Sequence, residues 1–563
     1  MEQSVNPMIP VGSGFASSSP TPPAFGDDEE TRDRTPIARW NIIPFQRFSE
    51  SVSIGVVAFH INGIDRVDFS ADGGEWVEAR GMTENPRTGV REYWGTLDLS
   101  SAAGEIELRA LVWPRGSGTP LMLQNGIGDV GDSSSIGGTI GIHSMFLRAG
   151  AEEAQAYWVS EHGDDNAPGH EGMPLATLQA AAQRLKSSGN ISGGRIVVAS
   201  SGVFEAPHQI GAKAMDAWLT IEAADGIDRD SIVIIPPGYE SGGDRLVMRP
   251  IIEKVRWRGV SFDFGTTVVY YSEDINDDGR GSFVWFDECY WYDHAGWSES
   301  RSGQSYNVRS FCRGLYMTDS HVRDMLYGPC GFTLVRNSLI ERVSGDSLAN
   351  VKSAFENEVR EQLYGVIPGF HCDVLQHWGE VENVIVFGLR ASGLTDVQCI
   401  LLDRTNSTFQ NIALVDLAFE VFPGGTVATQ LNSSCDHVLL WHVTILNQRL
   451  ALRDDFEGTS QFRADDVDLR NSVFERLDSG DYYSSELPEG VSLFHCHFAQ
   501  PSSLFSAGSE GTESITFDAI DVMFDGTAWS YSGSGASQIQ DSAVFIPEFH
   551  LEDVSPDRGF VPE

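Results

Sequence analysis

The chain has 563 residues, 41% of them hydrophobic and 10% aromatic, enough for a sizeable core and too many for a disordered chain. Its formal net charge is −42, from 38 basic and 80 acidic residues. Such a surface repels nucleic acid and anionic membranes, and no run of ~18 apolar residues offers a membrane span. The same acidity also suits a salty medium, where the reach of charge shrinks to about 3 Å at 1 M.

Residues 1–38 are rich in Ser, Pro, Gly and Asp and carry the run DDEETRDR, the composition of a flexible N-terminal arm. The opening MEQSVNPMIPVGSG has neither the charged nor the apolar region of a secretory signal. The seven cysteines, Cys289, Cys312, Cys330, Cys372, Cys399, Cys435 and Cys496, form no C-x-x-C and are odd in number. They are expected to be reduced apolar fillers, which fits folding in a cytosol even for a protein that works outside a cell.

From 39 to 150 the pattern alternates: VSIGVVAFHING, RVDFSADGGEWVEA, VREYWGTLDLS and EIELRALVWP, separated by Asn-Gly, Asp-Gly-Gly and Asn-Pro turns. This spacing predicts an immunoglobulin-like β-sandwich with Val67, Phe69, Trp76, Tyr93 and Trp94 as core, followed by a linker and a last strand over 143–147. The block resembles the immunoglobulin-like module that precedes β-helices in some virion and surface proteins.

Residues 151–194 read as a short strand, Tyr157–Ser160, a Gly/Asp/Asn/Pro segment, His162–Gly172, and a helix opened by Pro174. Its apolar positions, Leu175, Leu178, Ala181, Ala182 and Leu185, keep helical spacing. The stretch YWVSEHGDDNAPGHEGMPLATLQAAAQRL resembles the lead-in of pectate-lyase-like proteins, a superfamily of polysaccharide lyases, glycosidases and phage tailspikes. The resemblance implies an all-β fold, a right-handed single-stranded parallel β-helix over 195–545, with 546–563 as a C-terminal tail. The chain itself supports this with short strands recurring from GRIVVAS to SITFDAIDVMF and few helical patterns between them, SAFENEVREQL (353–363) being the exception. At about 20–25 residues per coil this range would make ~14 coils. Asn-Ser and Asn-Ile pairs at 337–338, 406–407, 411–412 and 471–472 suit a bend occupied on every coil, where Asn tolerates left-handed backbone and can ladder to its neighbour.

Four places carry chemistry. In GFHCDVLQHW, His371 and Asp373 share a strand face, and the segment resembles a G-x-H-x-D-x-x-Q signature of pectate-lyase-like proteins, giving His371, Asp373 and Gln376. Asp346 lies 27 residues before Asp373 (346 to 373), near one coil, so the two would stack as a glycosidase carboxylate pair, or Asp346 and His371 would cap turns beneath the 353–363 excursion. Trp291, Tyr292 and Trp297 could stack on sugar rings, or half of them could be core. Lys254, Arg256 and Arg258 put three cations on one strand face, to receive sugar carboxylates or sulfates, or to pair with neighbouring acids. The loop DINDDGRG offers Asp274, Asn276 and Asp278 as calcium ligands with Gly279 at the turn, but Trp285 stands where the twelfth-position acid belongs, so a plain acidic turn explains it equally.

The expected function is that of a phage tailspike or tail-fibre protein. Such a protein is made in the host cytoplasm, joined to tail or baseplate proteins through its N-terminal region, and binds or degrades surface polysaccharide. Tailspikes it resembles are homotrimers. A secreted extracellular lyase or glycoside hydrolase, and a non-catalytic adhesin or virion decoration, are the alternatives.

Overall fold

The computed structural model describes 36–123 and 145–149 with short breaks, 154–237 without one, and the segments 246–263, 268–270, 282–292, 312–323, 334–341, 372–402, 408–421, 429–453, 463–479, 490–498, 521–524 and 529–532, several with breaks of one to five residues. The chain falls into two units, formed mainly by Met1–Asp129 with Gly141–Glu153 and by Ala154–Val561.

The first unit is a two-sheet β-sandwich. Its strands are β1 (Ile37–Trp40), β2 (Arg47–Phe48), β3 (Ser51–Phe59), β4 (Ile64–Ala71), β5 (Val77–Ala79), β6 (Gly81–Glu84), β7 (Arg91–Asp98), β8 (Gly104–Pro114), β9 (Leu121–Leu123) and β10 (Met145–Ala149). One sheet runs β1-β3-β7-β6 and the other β2-β10-β8-β4-β5, with β9 also on β8. This is the two-sheet, mainly antiparallel sandwich that the alternation of this block predicts. Period-two alternation builds it: Ile106, Leu108, Ala110 and Val112 of β8 are buried, and the residues between them are half-buried. Phe69 fills the middle because Gly95 opposite has no side chain; a Cβ there would stand 2.7 Å from its ring. Trp76, expected in the core, is 44% exposed just before β5.

The second unit winds in parallel. One column of strands runs Ala156–Val159, Arg195–Val198, Leu219–Ala223, Lys254–Arg258, Ser282–Asp287, Cys312–Thr318, Leu334–Arg336 and Glu380–Phe387, and on to Val491–Phe494. A second runs from Gly202–Glu205 through Tyr290–Tyr292 to His497–Phe498. A third appears as Leu246–Met248 on Val268–Tyr270, and again from Cys372–His377 to Leu477–Ser479. The pairings in all three are parallel, so this unit is a parallel β-helix. The crossover rule makes such a winding right-handed.

Two ladders of register positions run up the stack. Ile196, Ile221, Trp257, Phe286, Met317, Val335, Val386, Leu414, Leu440, Leu469 and Leu493 succeed one another in register in the first column. Phe204, Ile234, Phe262, Trp291 and Val322 begin the second, which ends on Phe474 and Phe498. Phe262 and Phe286 meet Trp291 edge-on, with centroids 6.2 and 4.6 Å away. Each fully buried side chain of this size contributes about 1.5–3 kcal/mol.

The open edge of the first rung is covered by the lead-in loop. Trp158 donates its N–H to Gly169 O and accepts from Leu175 N, so the loop, not another strand, satisfies that edge. The helix α1 spans Leu178–Ser187 and buries Leu178, Ala181, Ala182 and Leu185. It starts later than Pro174. Asp165 accepts from Ala176 N, Thr177 N and Thr177 Oγ1, and Thr177, with extended backbone, caps Ala180 N.

The bend between the first two columns is laddered by serine. Ser320 Oγ accepts from Cys289 N, Ser338 Oγ from Ser320 N and Ser472 Oγ from Val443 N, at 3.1–3.3 Å. Asn337, Asn406, Ser407 and Asn471 lie outside the described residues. Asn411 does take left-handed backbone (φ 54°), and its Oδ1 lies 2.9 Å from Nδ1 of His437 on the next coil. The described parallel rungs end at Phe498; Asp521–Phe524 pairs antiparallel with Trp529–Ser532. Cys289, Cys399 and Cys435 are fully buried inside the stack, and Cys289 and Cys435 are free thiols.

Candidate functional site

The strand Lys254–Arg258 alternates as its sequence demands, with Val255 and Trp257 inside and the three cations outside. The cations then part company. Lys254 is buried: its Nζ reaches Glu253 Oε1 at 3.0 Å and donates to Met215 O, while Glu253 accepts from Met215 N. Lys254 is therefore spent on fixing the 213–217 segment. Arg256 pairs with Asp287 and lies 3.9 Å over the Trp285 ring. Thr318 Oγ1 donates to Asp287 Oδ1 at 2.7 Å and accepts from Trp285 Nε1 at 2.9 Å, closing the network on the following rung.

Arg258 remains at the surface, its side chain 44% exposed. Register places Glu222, Arg258, Asp287 and Thr318 directly above one another on four successive rungs. Arg258 lies 3.7 Å from Glu288 Oε2, 3.8 Å from Asp287 Oδ2 and 4.0 Å from Glu222 Oε2. Glu222 is also gripped by Arg195, Nε to Oε1 at 2.5 Å. Opposite charges directly across neighbouring strands attract, and here they alternate up the wall.

Glu288 occupies the bend itself. Gly259, Glu288 and Asp319 take left-handed backbone at this bend on consecutive coils, with φ of 61°, 54° and 50°. For Glu that conformation is costly, on the order of 1–2 kcal/mol. Burial, then the charge of Asp287, pushes the Glu288 carboxyl above its usual range, against the pull of Arg258. Burial lowers the Arg258 guanidinium, but Glu288, Asp287 and Glu222 more than offset this and hold it above its ordinary value. Burial also lowers Arg229, whose Nη1 donates to Glu288 O at 3.4 Å. The wall thus offers an exposed guanidinium and the carboxyl groups of Glu222, Asp287 and Glu288, within about one rung spacing.

No family model matches the sequence, and no curated protein matches it. Among solved structures, the chain is similar to a complex of XylC with xylose, at 10% identity over 67% of this chain and 89% of that one, TM-score 0.34. It is also similar to a family 28 exopolygalacturonase of Yersinia enterocolitica, at 10% identity over 82% and 98%, TM-score 0.24. A rhamnogalacturonan lyase aligns at 11% identity over 61% and 84%, TM-score 0.24. The fold assignment rests on the parallel pairing of this chain's own strands.

Several expected site residues stand elsewhere than expected. Trp291 is fully buried in the second ladder and has no ring face for a sugar. Tyr292 sits on the same strand, in register with Asp263 and Arg323. Trp285 is covered too, with Trp218 edge-on to it at 5.9 Å and to Tyr316 at 6.4 Å. Asp373 and Gln376 lie on the third-column strand Cys372–His377, in register with Gln398 and Leu401. The premise that 27 residues separates successive coils fails here. Val335 and Val386 are adjacent in the ladder, so a single coil step of 51 residues (335 to 386) spans both sequence positions, 346 and 373. Asp346, His371, Trp297, Asp274, Asn276, Asp278 and the 353–363 segment lie outside the described residues. Glu222, Asp287 and Glu288 were missed. Their signal was present, as acids at alternate positions of successive strands beside a strand of cations.

Proposed function

We propose that this chain is a saccharide-binding β-helix protein of the phage tailspike or tail-fibre type, with its ligand lying along the outward wall at Arg258. The observation that carries this reading is the exposed Arg258 guanidinium, set on a rigid rung among Glu222, Asp287 and Glu288 and surrounded by hydrogen-bond donors and acceptors of the kind that hold sugar hydroxyls. Cys289 and Cys435, free thiols buried among the described residues, support folding in a reducing cytosol, as virion assembly requires. The N-terminal arm and sandwich serve as the attachment to tail or baseplate proteins, and three copies associate. Among the described residues no helix is long and apolar enough to cross a membrane.

Binding of the full chain to a printed panel of bacterial surface polysaccharides tests the saccharide reading. At least one should bind, and silence across the panel would sink it. The virion reading is tested separately, by whether neighbouring genes encode tail and baseplate proteins.

A hydrolytic reading has one specific support, the Glu288 carboxyl held above its usual range beside Asp287. Such a group can donate a proton to a glycosidic oxygen. Release of reducing ends by the wild type, lost in Glu288→Gln, would establish it; turnover retained in that variant would exclude it.

A further inference from the structure

The ion pairs of the wall are not equivalent, and the difference points to a class of ligand. Arg195 is at hydrogen-bond distance from Glu222, and Arg256 is committed to Asp287 and the Trp285 face. Arg258 is held mainly by charge, its contact with Glu288 too long to satisfy its donors. Its nearest carboxylate oxygens stand 3.7, 3.8 and 4.0 Å away, beyond hydrogen-bond reach. A guanidinium presents five N–H donors in one plane, and here the plane is steered by three acids and 44% exposed. Glu288, 32% exposed, sets acceptor oxygens beside those donors.

The local charge decides what those donors can take. Arg195, Arg256 and Arg258 are balanced by Glu222, Asp287 and Glu288, so the cluster has no net positive charge to offer an anion. A sulfate or uronate arriving at Arg258 meets three carboxylates already arranged around it, on a chain of net charge −42. A hydroxyl pair meets no such repulsion. One oxygen accepts from Arg258 while the hydrogen of the other is donated to a carboxylate. We infer that this wall selects an uncharged, polyhydroxylated saccharide, engaged through neighbouring hydroxyls by Arg258 and Glu288, over uronic-acid-bearing or sulfated glycans. This rests on the saccharide-binding reading above and reverses the expectation, drawn from the sequence KVRWR, of a site for sugar carboxylates or sulfates.

The experiment uses the full chain against matched panels. Dextran, galactomannan and uncharged bacterial O-polysaccharides form one; dextran sulfate, alginate and polygalacturonate form the other. Binding is followed by biolayer interferometry at about 0.05 and 0.5 M NaCl, which shortens the Debye length by roughly threefold. The bound glycans should come from the uncharged panel, with affinity changing less than about twofold between the salts. Arg258→Met should weaken binding about tenfold or more, the loss expected for a hydrogen bond to a charged group. Glu288→Gln, isosteric and uncharged, is the second variant; it should weaken binding severalfold while its melting temperature stays at or above that of the wild type. If the tightest binder is anionic and its affinity collapses with salt, the inference fails and the saccharide-binding reading survives. If an uncharged glycan binds Arg258→Met as well as wild type, the inference fails at this wall. If neither panel binds, the underlying reading falls and the inference with it.

Discussion

Arg258 and Asp287 face each other on neighbouring rungs with Nε 3.8 Å from Oδ2, yet the tighter partner of Asp287 is Arg256, two residues away on the strand of Arg258. The two arginines therefore do different work. Arg256 and Asp287 have side chains 23% and 10% exposed, so removing one member strands a charge with little water. Asp287→Ala should cost about 3 kcal/mol, the scale for breaking a buried pair. Arg258→Ala, at an exposed position, should cost under about 1 kcal/mol. Chemical denaturation of the two variants checks this, and equal losses would refute the division.

Glu288 gives the wall a pH dependence of determined sign. Its folded carboxyl titrates above the usual value of 4.5, so between that value and the raised one the folded chain holds a proton the unfolded chain has released. Stability contributed by this group is thus present at low pH and is lost as pH rises through that window. Glu288→Gln keeps the shape and removes the titration. Its melting temperature relative to wild type should climb with pH from about 4.5 and then level off. A difference that does not vary with pH would mean that Glu288 titrates normally.

Trp257 and Trp76 are the same residue type in opposite situations, the first fully buried in the inner ladder and the second 44% exposed beside β5. Trp257→Ala should destabilise the β-helix by about 3–5 kcal/mol. Trp76→Ala should stay within about 0.5 kcal/mol. Each is read from the denaturation midpoint of the full chain, and a mild Trp257→Ala would contradict the inward assignment of its strand.

The alternation that builds both ladders was readable in KVRWRG, because one side of that run is plainly charged. It failed at SFVWFDECYWYD, where both sides are apolar. Phe283 and Trp285 point outward, Val284 and Phe286 inward, and all four are buried, so period two alone could not tell that Trp291 lies inside. Coil length was not readable either. Successive members of the first ladder are 31, 18 and 51 residues apart (286 to 317, 317 to 335, 335 to 386), because segments of unequal length leave the columns between rungs. The acids around Arg258 became a site only through the register that stacks them, which a sequence read strand by strand does not contain.

Asp165 explains why the lead-in stretch has its polar residues where it does. Its carboxylate takes Ala176 N, Thr177 N and Thr177 Oγ1, and Arg184 of α1 donates to Asp165 O and Ala167 O, so loop and helix brace each other. The bracing matters because the same loop supplies, at Gly169 and Leu175, the backbone partners of Trp158 on the first rung. Thr177→Ala removes one cap bond and should cost about 1 kcal/mol. Asp165→Ala removes three acceptor contacts at once, and its effect should spread. Amide exchange should accelerate at 176–180 and also at Trp158, while the ladder from Trp257 to Leu493 keeps its protection. Faster exchange confined to α1, with Trp158 unchanged, would show that the loop seals the first rung without help from the helix.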